Sequence, residues 1–449
     1  MDSSKSRKNS YQSNITWCIS KRQQCRLSLQ EKRSILRYAV CQTTHTRRAV
    51  SCKFPGSPIS TFFLAFSPDG ETIASSHGDH SVRISNLKSG RCLHTLKGHP
   101  RSVWCVAFHH SSPNLLASGC LKGVVNIWDL KQDGKLIASL NCNGVTSLAF
   151  HPTDMVLLVA MGNQLLLWSW YEPKPFVAAE LTSVYGKIRL VKFDSLGHHI
   201  LTGILDTKPM STSVEKLDSN TRQNPFISQT SVVNINLQNM ETTVDHVTEE
   251  TVNERIQELS GSNQNTDLFR LQWWDFTNLK FPDLNQTDLN VVARNCKLFN
   301  NMSADISADG HLLSALVAKL TKGIELCRQV CVFSLEKENL GQCLFSTVLG
   351  CNAFSTCFSP LGTHIIVGIA CGNGFRLFQE HQENRTVAYV FELCGKDSFL
   401  SKRVTLKLQA SEEGQFSNLR ANAVVWHPVI GHGLIAIGTN NGGVYFCHV

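Results

Sequence analysis

The sequence predicts an all-β chain built from repeated four-stranded units, and three observations carry that expectation. Short apolar runs recur along the 449 residues, broken by turn residues at spacings that suit strands and are too short for helices. The stretch Gly98 to Leu130 shows the unit whole. It opens on Gly98-His99, passes Val103 to Phe108, turns at Ser112-Pro113, runs through Leu115-Leu116-Ala117-Ser118-Gly119 and closes on Val125-Asn126-Ile127-Trp128-Asp129. Two marks taken from this unit then recur seven times, as described next. A Gly-His start with a Trp-Asp finish is the signature of a WD-repeat blade, and a single blade cannot bury both of its faces without neighbours.

The first mark is the turn after the innermost strand, at Ser67-Pro68-Asp69-Gly70, His109-His110, His151-Pro152, Asp194 to Gly197, Ser307 to Gly310, Ser359 to Gly362 and His427-Pro428. The second is the end of the third strand, at Ser85-Asn86, Trp128-Asp129, Trp168-Ser169, Trp274-Asp275, Phe333-Ser334, Phe378-Gln379 and Phe446-Cys447. The marks lie roughly 20 residues apart, as a blade requires. The fourth unit is the exception, with 80 residues from Asp194 to Trp274. The expected fold is therefore a seven-bladed WD40 β-propeller with a short helical N-terminal arm and a disordered insertion in blade four.

Taken in order, residues 1–46 form a basic arm. Residues 1–53 carry 12 Lys and Arg against Asp2 and Glu31, a net charge of +10, while the whole chain is +8. Ile15, Trp17 and Ile19, then Leu27, Leu29, Ile35 and Leu36, leave a narrow apolar stripe that suits one or two amphipathic helices. Helices this short are marginal in water and gain stability by laying the stripe into a partner. A solvated tail and a nucleic-acid arm stay open beside a docking helix pair. Four scattered aromatics, Tyr11, Trp17, Tyr38 and Phe54, give no regular stacking platform, which favours docking.

The propeller is expected over residues 47–205 and 268–449. The last blade shows strands at Ala423 to Trp426, Leu434 to Gly438 and Gly443 to Cys447, and the sequence stops at Val449 with no outermost strand. Closed propellers avoid a raw edge, so residues 48–53 are predicted to complete blade seven. Blades one to three follow directly. In blade one Ser85-Asn86 replaces Trp-Asp. Asp79, His99 and Asp129 invite an acid–base reading, but in WD repeats such residues serve a buried Trp-Ser-His-Asp network, and that is the role expected here.

Residues 206–267 hold ten acidic against four basic residues and no Trp or Tyr, so they cannot bury enough apolar surface to offset their ordering entropy. Blades five and six are expected at Met302 to Leu349 and Ala353 to Leu393, with a loop from Cys394 to Asn418 before blade seven.

Composition bounds the function. No apolar run reaches the length of a membrane span and Met1 to Ser10 lacks a signal-peptide core, so the chain is expected in the cytosol or nucleus. Seventeen scattered cysteines, including Cys105, Cys331, Cys357 and Cys447, contain no Cys-x-x-Cys and are read as buried reduced thiols, with neither zinc nor a disulfide framework. No phosphate loop, nucleophile elbow or metal-ligand spacing occurs. The chain is therefore expected to be a non-enzymatic binding protein without cofactors.

Ser60-Thr61-Phe62-Phe63-Leu64-Ala65-Phe66-Ser67-Pro68-Asp69, Gly119 to Gly123, Leu148 to Thr153, Val191 to His198 and Trp274 to Leu279 go beyond generic WD-repeat residues. Over about residues 10–205 and 270–449 the chain resembles the activating molecule in beclin-regulated autophagy family. The resemblance implies a substrate receptor of a cullin RING ubiquitin ligase, with the helical arm docked on the damaged-DNA-binding adaptor. Ile15, Trp17, Arg22, Leu29 and Leu36 are the matching adaptor-binding positions. It further implies cyclin-type clients and autophagy-regulator partners. The insertion is shorter than the family's and the family's long tail is not in this sequence, which removes support for contacts carried by those regions. Trp128-Asp129-Leu130-Lys131 also departs from the Trp-Asp-x-Arg of many adaptor-binding propellers, since lysine lacks the planar fork of arginine. Phe276-Thr277-Asn278-Leu279 fits an aromatic-x-x-aliphatic docking motif but is read as core packing. The alternative function is a stand-alone WD-repeat scaffold for peptides or nucleic acid.

Overall fold

The computed structural model describes residues 50–172, 175–183, 185–206, 267–277, 281–321, 324–350, 352–370, 384–393, 401–409, 420–430 and 432–448. The arm, most of the insertion and the Phe378-Gln379 mark lie outside these residues.

Alternating apolar runs fold into antiparallel meanders. Blade one comprises β2 (Thr61–Phe66), β3 (Thr72–His77), β4 (Val82–Asn86) and β5 (Cys92–Leu96). Blade two comprises β6 (Val103–His109), β7 (Ser112–Cys120), β8 (Val124–Asp129) and β9 (Lys135–Asn141). Blade three has β10 (Val145–Phe150), β11 (Leu157–Met161), β12 (Gln164–Trp168) and β13 (Phe176–Glu180). Blade four has β14 (Ile188–Phe193), β15 (His199–Leu205), β16 (Phe269–Asp275) and β17 (Val291–Cys296), and blade five has β18 (Ala304–Ile306), β19 (Leu312–Thr321), β20 (Ile324–Ser334) and β21 (Cys343–Leu349). These two blades join through a single pairing of Cys296 with Val317. Blade six has β22 (Ala353–Phe358), β23 (His364–Ile369), β24 (Asn384–Glu392) and β25 (Ser401–Gln409).

Blade seven has β26 (Ala421–Trp426), β27 (Leu434–Thr439) and β28 (Val444–His448), and its fourth strand is β1 (Val50–Ser51) from the other end of the described chain. Val50 pairs with Phe446 and Ser51 with Tyr445, and the Cys52 amide donates to the Val444 carbonyl at 2.8 Å. The stretch expected to close the ring supplies that strand.

Packing confirms the count. The buried apolar side chains fall into seven clusters, each shared by two successive blades. Trp128 and Phe108 of blade two meet Ile84 and Leu96 of blade one. Phe446 and Ala436 of blade seven meet Leu64 and Ile73 of blade one. A middle strand is thus covered on both faces, which is why β11 reads Leu-Leu-Val-Ala-Met without polar alternation.

Three sequence expectations need correction. The third and fourth strands of blade six are β24 and β25, so the blade runs on to Gln409, and the stretch read as a loop from Cys394 holds its outer strand. From Arg403 to Gln409 the strand SKRVTLKLQ alternates polar and apolar residues with period two, a pattern its three basic residues obscured. Ser112-Pro113 is not the turn of blade two but opens β7. His109 pairs with Ser112, so His110 and Ser111 make the turn, and a register shift after Phe108 accommodates the proline. Met302 does not begin blade five, for the reason given below.

The long connection of blade four leaves β15 and returns in β16 where Leu205 pairs with Phe269. Asp206 marks the stem. Its amide donates to Leu268 O at 2.9 Å, and its carboxylate lies 3.1 Å from Arg294 and 3.9 Å from buried Arg270. The foreign segment is therefore attached through neighbouring strand ends and leaves the blade's register intact.

Candidate functional site

The upper face is defined here as the side on which the inner strands begin, and the lower face as the side on which they end. At the upper face the chain between β17 and β18 does not simply cross from one blade to the next. Residues Leu298 to Ser303 enter the axial opening and bond to most of the ring. Arg189 of blade four donates to the carbonyls of Leu298, at 3.4 Å, and Phe299. Asn300 reaches Phe62 O of blade one and Asn422 O of blade seven, both at 3.5 Å. The Met302 carbonyl accepts from the Thr356 amide at 2.7 Å and Ser303 Oγ donates to Phe354 O at 2.9 Å, both in blade six. Met302 itself packs in the cluster between blades seven and one.

This plug is ringed by cations and aromatics. The Arg189 guanidinium lies 4.9 Å from the Trp104 ring centroid, and Trp104 lies 5.6 Å from Phe62. Arg328 lies 4.6 Å from Phe299 and donates to Ala353 O at 2.7 Å. Burial lowers the affinity of Arg189 for its proton, and the two carbonyls offset that cost. Glu325 holds Arg328 at 2.5 Å and Lys297 at 3.4 Å. Both arginines are already committed to carbonyls, a carboxylate and aromatic faces. The mouth is thus a filled hub, and the Trp104 indole nitrogen and Asn301 Oδ1 are buried there without a hydrogen-bond partner among the described residues. Sequence reading missed it; its trace is the run Leu298-Phe299-Asn300-Asn301-Met302, where two amides sit between large apolar residues.

The residues that suggested acid–base chemistry serve the fold. Trp128 Nε1 donates to Ser118 Oγ at 2.7 Å, and Ser118 Oγ lies 2.6 Å from His99 Nε2. Burial pushes His99 down to about 4, so the ring is neutral where it hydrogen-bonds the serine. The network stops there, because His99 Nδ1 has no partner among the described residues and Lys122 stands in the following turn. Asp79 instead binds Arg83 at 2.8 Å and Ser81 at 2.6 Å. Asp129 caps the short 3-10 turn Leu130–Gln132 by accepting from the Lys131 amide at 2.9 Å. Phe276 is buried in the core between blades three and four, as its packing role requires. The expected adaptor-binding residues Ile15, Trp17, Arg22, Leu29 and Leu36 all lie outside the described residues.

The lower face carries a second recurring device. His427 of blade seven lies 2.9 Å from Gly70 O of blade one, and His151 of blade three lies 3.3 Å from Gly197 O of blade four. Both glycines have positive φ, +71° and +76°, and a Cβ on either would approach the imidazole to about 2.5 Å. Each His-Pro turn therefore seats against the glycine turn of the next blade.

Comparison with known proteins agrees with this geometry. The family of the WD domain, G-beta repeat, matches residues 47–85, 90–129 and 134–169. Activating molecule in BECN1-regulated autophagy protein 1B of Danio rerio is 47% identical over 154 residues, 34% of this chain and 11% of its own length. Its paralogue 1A from the same fish is 46% identical over 154 residues, 34% of this chain and 12% of its length. The chain is a WD-repeat propeller, similar over 34% of its length to these autophagy proteins. It spans only about a tenth of the length of the curated relatives it matches. The β-propeller domain of Cps50 (Swd1) from Myceliophteria thermophila covers 90% of this chain and 98% of its own at a TM-score of 0.52 and 15% identity, a likeness of fold alone. The resemblance read from the sequence motifs is thereby borne out, as is the all-β propeller.

Proposed function

We propose that this chain is a non-enzymatic substrate receptor of a cullin RING ubiquitin ligase. Residues 1–46 dock the damaged-DNA-binding adaptor through Ile15, Trp17, Arg22, Leu29 and Leu36, and the ring presents clients, cyclin-type proteins and autophagy regulators among them. Such a receptor catalyses nothing; it raises the effective concentration of client beside the ligase. Similarity to the BECN1-regulated autophagy proteins supports the autophagy-regulator partners, and the cytosol or nucleus is the compartment in which this role is exercised.

The single observation that carries the reading is the seam between β1 and β28. The segment that leads into Val50 is continuous with a strand built into a closed ring. A partner gripped by that segment is thus tethered to the client-bearing surface through only a few residues. The alternative, a stand-alone scaffold for peptides or nucleic acid, draws on the net charge of +10 in residues 1–53.

Affinity purification of the full chain, a form lacking residues 1–46 and the Trp17→Ala variant tests the proposal. Loss of the adaptor from the last two, with thermal midpoints unchanged, is the expected result. Absence of the adaptor from the full chain overturns it, and salt-sensitive recovery of nucleic acid favours the alternative. Removing residues 1–53 also removes β1 and is expected to lower the midpoint by several degrees, about the effect of a few kcal/mol in a domain of this size.

A further inference from the structure

Three asparagines in the chain precede a glycine, Asn143, Asn373 and Asn441, and Asn373 lies outside the described residues. Such a pair is labile because glycine has no side chain to shield its amide nitrogen from the neighbouring carboxamide. The fold treats the two described pairs differently. Asn441-Gly442 lies in the tight turn between β27 and β28. The Gly442 amide donates to Thr439 O at 3.0 Å, and Asn441 Oδ1 accepts from Thr439 Oγ1 at 2.5 Å and from the Gly443 amide at 3.1 Å. Gly442 is also buried, with Pro58 O 2.1 Å from its ideal Cβ position. Both reacting groups are thus committed to other partners.

Asn143-Gly144 joins β9 of blade two to β10 of blade three at the upper face. Asn143 is exposed, and neither its side chain nor the Gly144 amide has a hydrogen-bond partner among the described residues. The residues on either side are fixed. The Cys142 amide donates to Gly123 O at 2.7 Å, and Val145 pairs with Met161 of β11. Gly144 itself has φ +72°, and the nearest atom to its ideal Cβ position is Leu121 O at 3.6 Å. The pair is an exposed link between two pinned points, with its carboxamide and its nucleophilic nitrogen both uncommitted.

We propose that Asn143 is a site of spontaneous deamidation, and that the fold directs the reaction to this link while protecting Asn441. The Gly144 amide nitrogen gives up its proton and attacks Cγ of Asn143. The bond from Cγ to the side-chain nitrogen breaks, and that nitrogen leaves as ammonia, carrying the proton. A five-membered succinimide remains. One water molecule then opens the ring. Breaking the bond from the Gly144 nitrogen to Cγ gives aspartate; breaking the bond from that nitrogen to the main-chain carbonyl carbon gives isoaspartate. Water is consumed and ammonia released, with no oxidation. Either product places a new carboxylate on the upper face beside the turn of residues 121–123, which carries Lys122. Isoaspartate also lengthens the main chain by a methylene. The ideal Cβ position of Gly123 already lies 1.8 Å from Cys142 O and 2.7 Å from the Gly144 nitrogen, so the joint between blades two and three must shift to take it.

The full chain, incubated at mildly alkaline pH with and without urea and then digested with trypsin, is read by mass spectrometry at both sites. In the folded protein, acid at position 143 is expected to accumulate several-fold faster than at position 441. The peptide spanning position 143 is also expected to accept methyl groups from S-adenosylmethionine and an isoaspartyl methyltransferase, the signature of the isoaspartate product. In urea the two rates should become similar, because the fold alone separates the pairs. Asn143→Gln, at an exposed position, demands a less favourable six-membered ring and is expected to remove the signal at 143. Absence of acid at 143 in the folded chain, or equal rates at 143 and 441 there, overturns the proposal. So does an advantage of 143 that persists undiminished in urea, or acid that forms at 143 as fast in Asn143→Gln as in the wild type.

Discussion

The imidazole of His427 lies 2.9 Å from the carbonyl oxygen of Gly70, so the last blade meets the first at the lower face as well as through β1. Gly70 sits at φ +71°, and its ideal Cβ position is 2.5 Å from His427 Cε1. Two costs would follow a substitution there. The left-handed backbone disfavours any L side chain by about 1–2 kcal/mol, and the clash displaces a ring that latches the seam.

Gly310 separates these costs. Its φ is +77°, but the nearest atom to its ideal Cβ, Asp194 Cβ, is 4.0 Å away. Gly310→Ala is expected to show the backbone cost alone. Gly70→Ala is expected to lose about 1–3 kcal/mol more, the range for overpacking. Urea denaturation midpoints of the two variants decide it; equal losses would mean that His427 moves aside freely.

Stability should fall with acid before the carboxylates titrate. Burial pushes His99 from 6.5 to about 4 and His77 from 6.5 to about 3. Both rings are neutral in the fold, and the unfolded chain binds protons more readily below pH 6.5. Their contribution is therefore complete above 6.5 and is lost as pH falls toward 4 for His99 and 3 for His77. For His99 the loss is at most about 3 kcal/mol. Denaturant midpoints measured between pH 7 and 4 should decline for the wild type and decline less for His99→Gln, which offers Ser118 a hydrogen-bonding group without titrating.

The axial plug predicts a sharp difference between arginine and lysine. Arg189 donates to Leu298 O and Phe299 O while lying over Trp104. Lysine keeps the charge and loses the planar fork. Arg189→Lys is expected to cost about 1–3 kcal/mol, the penalty for buried acceptors left unmatched. Hydrogen exchange should accelerate at residues 298–303 and remain unchanged at the β1–β28 seam. Uniform acceleration would show that the plug does not act as a local unit.

Much of the ring is legible in the sequence because its determinants are local. A turn of the Ser-Pro-Asp-Gly kind, a third strand ending in Trp or Phe and a strand-length apolar run between them are each settled within a few residues. The missing outer strand of blade seven is legible too, since an unpaired edge next to a β-compatible run leaves one economical solution. Blade six is harder. Lys402, Arg403 and Lys407 give its outer strand the look of a polar loop, and only pairing with β24 shows the alternation. The buried Trp128-Ser118-His99 network is readable as a pattern, whereas its stopping at His99 Nδ1 is visible only when the neighbours are in place.

The order and number of blades, the site of the insertion and the closure of the two ends follow from the sequence alone, because strand period, turn chemistry and the cost of an open edge act along the chain. The filled axial mouth and the His-Pro turns seated on glycines of the next blade belong to the tertiary structure. Each depends on residues from separate strands or blades being brought together, as with Met302 from the lead-in to blade five and Ala423 of blade seven, and no pattern within either stretch specifies the other.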